Sequence, residues 1–434
     1  MPVKFVSTAV RTAAAGALAT AGLWSAPAAL AVPPPVIHVP CDANTLTADI
    51  SGAVSGETLS LTASCRYVLT AALLDTSKSL TIRGNEATVV RSYAPGTPDF
   101  SILTVSSGDL AVSHLNFRNG RSVDGGAIDS QGGTVTVTGG TFTGNTASGN
   151  GGAIDNFSTD EPDGGTMTVT GATFTRNTAG EGGAIDNGLG TLTVTGSTFT
   201  GNTASGNGGA IDNFGGPGYL SKVTMAVTRS TFTRNTAREG GAIFNAIDLT
   251  VTGGTFTGNT ASGNGGAIDN FNPDSAELTV AGGTFARNTA GSGGGIYNYD
   301  ELTATGTTFT GNTALTGGGI ENQWQATVTR SIFGQNRASS DGGAIDNRYV
   351  ATVTNATLHD NQARSQGGGI YNGDGVQGFP GTLGITHGHI LDNLAQDGGG
   401  IYNGDGAVTV TGADVEQNRP DNCAPANSVG GCRG

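Results

Sequence analysis

Gly125-Gly126-Ala127-Ile128 decides the fold, because the same four residues return ten more times with Ala or Gly in the third place. The isoleucines are Ile128, Ile154, Ile185, Ile211, Ile243, Ile268, Ile296, Ile320, Ile345, Ile370 and Ile401, at steps of 24 to 32 residues. Periods of that length mark one supersecondary unit copied along an axis. In the unit Thr191–Asn213, Thr-Leu-Thr-Val-Thr is followed by Gly-Ser, Thr-Phe-Thr-Gly-Asn, a turn, and Gly-Gly-Ala-Ile-Asp-Asn. Period-two alternation turns Leu192, Val194 and Phe199 inward and Thr193, Thr195 and Thr200 outward. Turns at Gly196 and after Asn202 leave three short strands, stable only when copies pair about 4.8 Å apart.

Equivalent residues then stack. Phe142, Phe174, Phe199, Phe232, Phe256, Phe285, Phe309 and Phe333 form one internal column, continued by Leu358, Ile390 and Val415. Three places after each comes an Asn, from Asn145 to Asn418, and a second Asn column, Asn156 to Asn403, lies two places after each Ile. The Asn amide can donate and accept along such a column. A longer period of two coils lies on top: the 16 residues from Phe142 to Phe157 recur from Phe199 and from Phe256. Intervening coils carry Arg176, Arg234 and Arg287 where these carry Gly, and Glu181 and Glu239 five residues after the first two suggest surface ion pairs.

Gly-Gly-Ala-Ile paired with Phe-x-x-Asn over residues 117–418 resembles the chlamydial polymorphic outer membrane protein repeat family. The resemblance implies a right-handed parallel β-helix, here of roughly 14 coils, and implies the surface-adhesin role of the family's better-known members. The expected form is a secreted repeat protein without the autotransporter barrel, since neither an alternating membrane-strand series nor a wall-sorting tail follows the last coil.

Outward from the repeats, residues 1–31 have the pattern of a cleaved signal peptide: Lys4 and Arg11, an apolar run over 12–24, then Ala29-Leu30-Ala31. The product is expected to be extracellular, with no transmembrane segment after cleavage. Residues 32–57 form a Pro-rich lead and an N-terminal cap, in which Leu46, Ile50 and Val54 share one face of a short helix; an open solenoid end needs such a cover. Residues 58–418 are the β-helix, and 419–434 a C-terminal disulfide cap. All four cysteines lie outside the repeats, and the two local pairings are expected, Cys41–Cys65 and Cys423–Cys432.

With 34 acidic against 20 basic residues the formal charge is −14, which argues against nucleic acid and anionic membranes as partners. Cations, neutral glycans and basic proteins fit better, and the chain is expected to be a monomer. The position after each Ile is mostly polar, with Asp129, Asp155, Asp186 and Asp212 on successive coils, expected to point outward. Carboxylates about 4.8 Å apart repel, so protonation, spread into solvent or a bound cation must relieve them. Calcium would be the fitting cation, although the Gly-Gly-x-Gly-x-Asp calcium repeat is absent; no other cofactor is expected.

Four insertions at one turn, Phe157 to Thr166, Phe214 to Thr224, Phe271 to Glu277 and Gly373 to Thr382, carry Phe157, Phe214, Phe271, Tyr219 and Phe379, and per-coil insertions at one turn form one edge. These aromatics make a ligand-binding strip or fold back to cover the edge. Polysaccharide-active β-helices use paired carboxylates, and none is legible beside His387-Gly388-His389. No catalytic residue is therefore assigned. The leading expectation is a non-enzymatic, adhesin-like protein contacting a cell-surface glycan or extracellular protein; the alternative is a lyase or glycoside hydrolase with an atypical site.

Overall fold

The computed structural model describes residues 36–73, 77–157, 165–214, 224–271, 276–373 and 379–432. Every paired strand in the repeats is parallel and in register with its counterpart one coil away, as in Leu192↔Met225, Phe199↔Phe232 and Ile211↔Ile243. The chain is a parallel β-solenoid of about 15 turns. One coil comprises Thr191–Thr195, Thr198–Thr200, a two-residue strand Thr203–Ala204, and Ile211–Phe214. The two-residue strand is a fourth where three were expected and forms a sheet of its own, while the first two strands of the coil share one sheet. The two-residue strand falls where Thr-Ala follows Asn202, too short to show a period in the sequence.

The interior is built from columns. Phe117 joins the eight repeat phenylalanines in a stack with ring centroids 4.7 to 5.1 Å apart and planes within 18° of parallel. Each of these rings is 0–1% exposed. Asn145, Asn177 and Asn202 each use Nδ2 to donate to the Oδ1 of the next Asn, at 2.9 to 3.0 Å, and the ladder continues to Asn418. The same Nδ2 also donates to a Phe carbonyl of the preceding coil, as Asn202 does to Phe174. The second ladder, Asn156 through Asn403, has the same side-chain link at 2.7 to 2.9 Å. Buried amides thus find partners on both sides.

At the N-terminal end the helix Ala43–Gly52 is capped by Asp42, whose carboxylate accepts from Thr45 N at 2.7 Å. Leu46 and Ile50 are buried as expected, whereas Val54 lies past the helix end and is exposed. Cys41–Cys65 ties this cap to the first coil, and Cys423–Cys432 closes the other end. The last segment also continues two sheets, Cys423–Ala424 pairing with Ile401–Tyr402 and Val429–Gly430 with Val408–Thr409. The proposed leader, 1–31, and Tyr219 lie outside the described residues, as do the interiors of all four insertions.

Candidate functional site

Register brings Asp129, Asp155, Asp186 and Asp212 into one column, followed by Phe244, Asp269, Tyr297, Glu321 and Asp346. The expectation that these acids face solvent is corrected. Asp155, Asp186 and Asp212 are 3–4% exposed, Asp269 1% and Asp346 0%; Asp129 alone of the first four is half-buried. The side chains point away from the isoleucine core, but the Gly-Gly turn of each coil folds back over that outer side. Gly151, at φ +59°, leaves so little room that a Cβ there would lie 2.1 Å from Ile154 O; only glycine fits this approach.

Burial, then the neighbouring carboxyls, pushes Asp155 up to about 9 and holds Asp186 well above the carboxylate range. Burial and Glu181 push Asp212 up to about 7. Asp186 stands between Asp155 and Asp212 in the register, and the charge of Asp212 raises Asp186 as that of Asp186 raises Asp155, so stacking favours the neutral carboxyls. Asp155 Oδ1 and Asp212 Oδ1 have no hydrogen-bond partner among the described residues. Among those residues no group of three or more His, Cys, Asp or Glu side chains is placed to hold a metal ion. Of the three ways to relieve the repulsion, the geometry favours protonation.

The aromatic edge lies just beyond. Phe157 pairs in register with Gly188 and that with Phe214. A Cβ on Gly188 would come within 2.8 Å of the Phe157 ring, so the small residue of the intervening coil lets the ring lie down along the edge. Even so, Phe157, Phe214 and Phe271 remain 38%, 47% and 38% exposed. The structure extends this row with Tyr299, Trp324 and Tyr349, which were not expected, and joins the expected Phe379 to them. Tyr299 packs on Phe271 at 4.8 Å, Trp324 stacks on Tyr349 at 4.4 Å and 13°, and Phe379 meets Tyr349 edge-on. Beneath them Arg348 joins Asp346 at 2.7 Å and lies over the Tyr371 ring. A signal was available: Trp324 and Tyr349 each stand four places after an Ile.

A second missed pair is His389 and Asp414, 3.1 Å apart on neighbouring coils. Each stands one place before the residue that continues the Phe column, Ile390 and Val415. His359 likewise meets Asp360 at 2.9 Å, and His114 meets Glu86 at 3.3 Å. The arginine–glutamate pairs expected on alternate coils do not form. Glu181 instead accepts from Asn207 N and Glu239 from Asn264 N, capping turn amides of the next coil.

Fold and site together define a parallel β-solenoid repeat protein with an aromatic edge. The Chlamydia polymorphic membrane protein repeat matches residues 139–156, 196–213, 229–246 and 253–270, each match running from the corner before a Phe strand to an Asn-ladder position or, in the third, one residue beyond it. The chain carries the repeat of that family. No curated protein matches it.

Proposed function

We propose that this protein works outside the cell as an adhesin-like solenoid that holds a glycan, or an extracellular protein, against its aromatic edge. The exposed row Phe157, Phe214, Phe271, Trp324 and Phe379 carries this reading. A fold that buries every phenylalanine of its core to 0–1% has no packing need for large rings half in solvent. The Trp324–Tyr349 stack presents a broad flat platform. Phe157 and Phe214 are the last residues of their strands, so these rings bind without loss of loop entropy. The repeat family supports a surface role, and no helix among the described residues is long and apolar enough to cross a membrane.

A glycan array probed with the mature chain tests the reading. Saturable binding is expected, weakened about tenfold or more, ~1.4 kcal/mol, by Trp324→Ala and by joint replacement of the three phenylalanines with Ala. Undiminished binding by both variants would reject the edge as the site. A polysaccharide-active enzyme is a second reading, favoured only by His389–Asp414. Product release abolished by His389→Ala would establish it.

A further inference from the structure

The arginines of alternate coils fall into a row. The register Thr143↔Thr175↔Thr200↔Thr233↔Thr257↔Ala286↔Thr310 places Gly144, Arg176, Gly201, Arg234, Gly258, Arg287 and Gly311 in one corner column. All seven take left-handed backbone, the arginines at φ +53°, +53° and +54°. Glycine accepts that conformation freely, but arginine does not. Backbone strain kept at regular intervals points to a use for the side chain.

Each arginine is exposed, and its stem runs beside the glycine of the next coil: Arg176, Arg234 and Arg287 reach Gly201, Gly258 and Gly311. None of the three forms an ion pair among the described residues: Glu181 and Glu239 are held by turn amides, and Arg287 has Ser292 at the equivalent place. With coils 4.8 Å apart, the guanidinium groups recur about every 10 Å. Two coils beyond Arg287 the corner position is Gln335, at φ +59°, and Arg337 stands two places after it, paired with Thr313. Arg337 opens onto a cleft of about 510 Å³ that is also lined by Arg364, Thr313, Ser339, Gln362 and Gln396. The corner column itself then turns acidic at Asp360, whose carboxylate is engaged by His359.

We infer that this corner is a second binding surface, separate from the aromatic edge, for a linear polysaccharide bearing carboxylate or sulfate groups. Arginine matches both anions with its planar fork of donors. The hydroxyl and amide side chains of the cleft suit sugar hydroxyls. Duplex nucleic acid fits poorly: its charges come every ~1.7 Å, against one arginine per two coils, and the chain as a whole is strongly acidic. The row thus concentrates cations on one corner of an otherwise anionic molecule.

Retention of the mature chain on immobilised heparin and on polygalacturonate, with dextran as neutral control and duplex DNA as competitor, tests the inference. Heparin carries sulfate and polygalacturonate only carboxylate, so the two arms identify the anion. Salt-sensitive, saturable binding to at least one is expected. R176G/R234G/R287G restores the residue that this backbone prefers, so its Tm should equal or exceed that of the parent while affinity falls at least tenfold. The log–log salt dependence should also become shallower by about two to three. R337Q/R364Q should weaken binding too. Replacing the three edge phenylalanines should leave this binding intact, which separates it from the aromatic-edge reading. Absence of polyanion binding, equal binding by R176G/R234G/R287G, or tighter binding of duplex DNA would each overturn the inference.

Discussion

Asp155, Asp186 and Asp212 show how one residue position can couple the fold to pH. Their carboxyls sit under the Gly-Gly turns and are kept protonated in the folded chain, Asp212 to about pH 7 and Asp155 to about 9, by burial and by one another. In the unfolded chain they ionise near 3.8. Between those limits the folded state holds more protons, so the stability they contribute at low pH is lost as pH rises through the folded values. Tm should therefore fall between about pH 5 and about pH 9, and Asp155→Asn with Asp186→Asn should flatten that slope. A Tm independent of pH in the parent would show the column to be ionised. Adding calcium after chelation is expected to leave Tm unchanged, as no three such side chains converge among the described residues.

The same scale governs the ladders. Asn235 accepts from Asn202 N and Nδ2 and donates to Phe199 O and Asn259 Oδ1. Asn235→Leu leaves several buried groups without partners and should cost roughly 3 kcal/mol or more in denaturant unfolding. Phe232→Ala opens a cavity in the ring stack and should cost about 3–5 kcal/mol. A cost below 1 kcal/mol for Asn235→Leu would mean that water repairs the ladder.

At the scale of elements, the strands of a coil have no independent stability, and the caps protect the two ends. The helix Ala43–Gly52 covers the first coil with Leu46 and Ile50, and Cys41–Cys65 closes a segment with a sequence separation of 24. Losing that crosslink removes about 3 kcal/mol of chain-entropy stabilisation. Cys41→Ser with Cys65→Ser should therefore expose the first coils to limited proteolysis while the coils beyond Phe142 stay resistant. Cleavage spread evenly along the chain would show that the cap has no local role. Cap helix, disulfides and Phe and Asn columns were all legible in the sequence, because each is set by spacing or by chain neighbours. The two-residue Thr-Ala strand was not, since two residues define no period.

At the scale of the molecule, contacts run only between neighbouring coils, so stability is close to a sum of coil and interface terms. Hydrogen exchange should be slowest in the coils between Phe142 and Phe333, where ring stack and Asn ladder are both unbroken, and faster beyond Leu358, where aliphatic residues replace Phe. Uniform protection would instead indicate a single cooperative unit.

What the sequence determined by itself is the repeat: its parallel register, its buried columns and its closed ends. Periodicity alone places equivalent residues one above another, and hydrophobicity says which of them turn inward. The tertiary structure decided everything that depends on how turns pack outside that frame. It buried an aspartate column that alternation would leave in water, because each coil's own Gly-Gly turn closes over it. It drew Trp324, Tyr349 and Phe379 together from coils whose insertions differ in length, and set His389 against Asp414. It also separated Arg176 and Arg234 from the glutamates five places on, because backbone amides of the next coil hold Glu181 and Glu239.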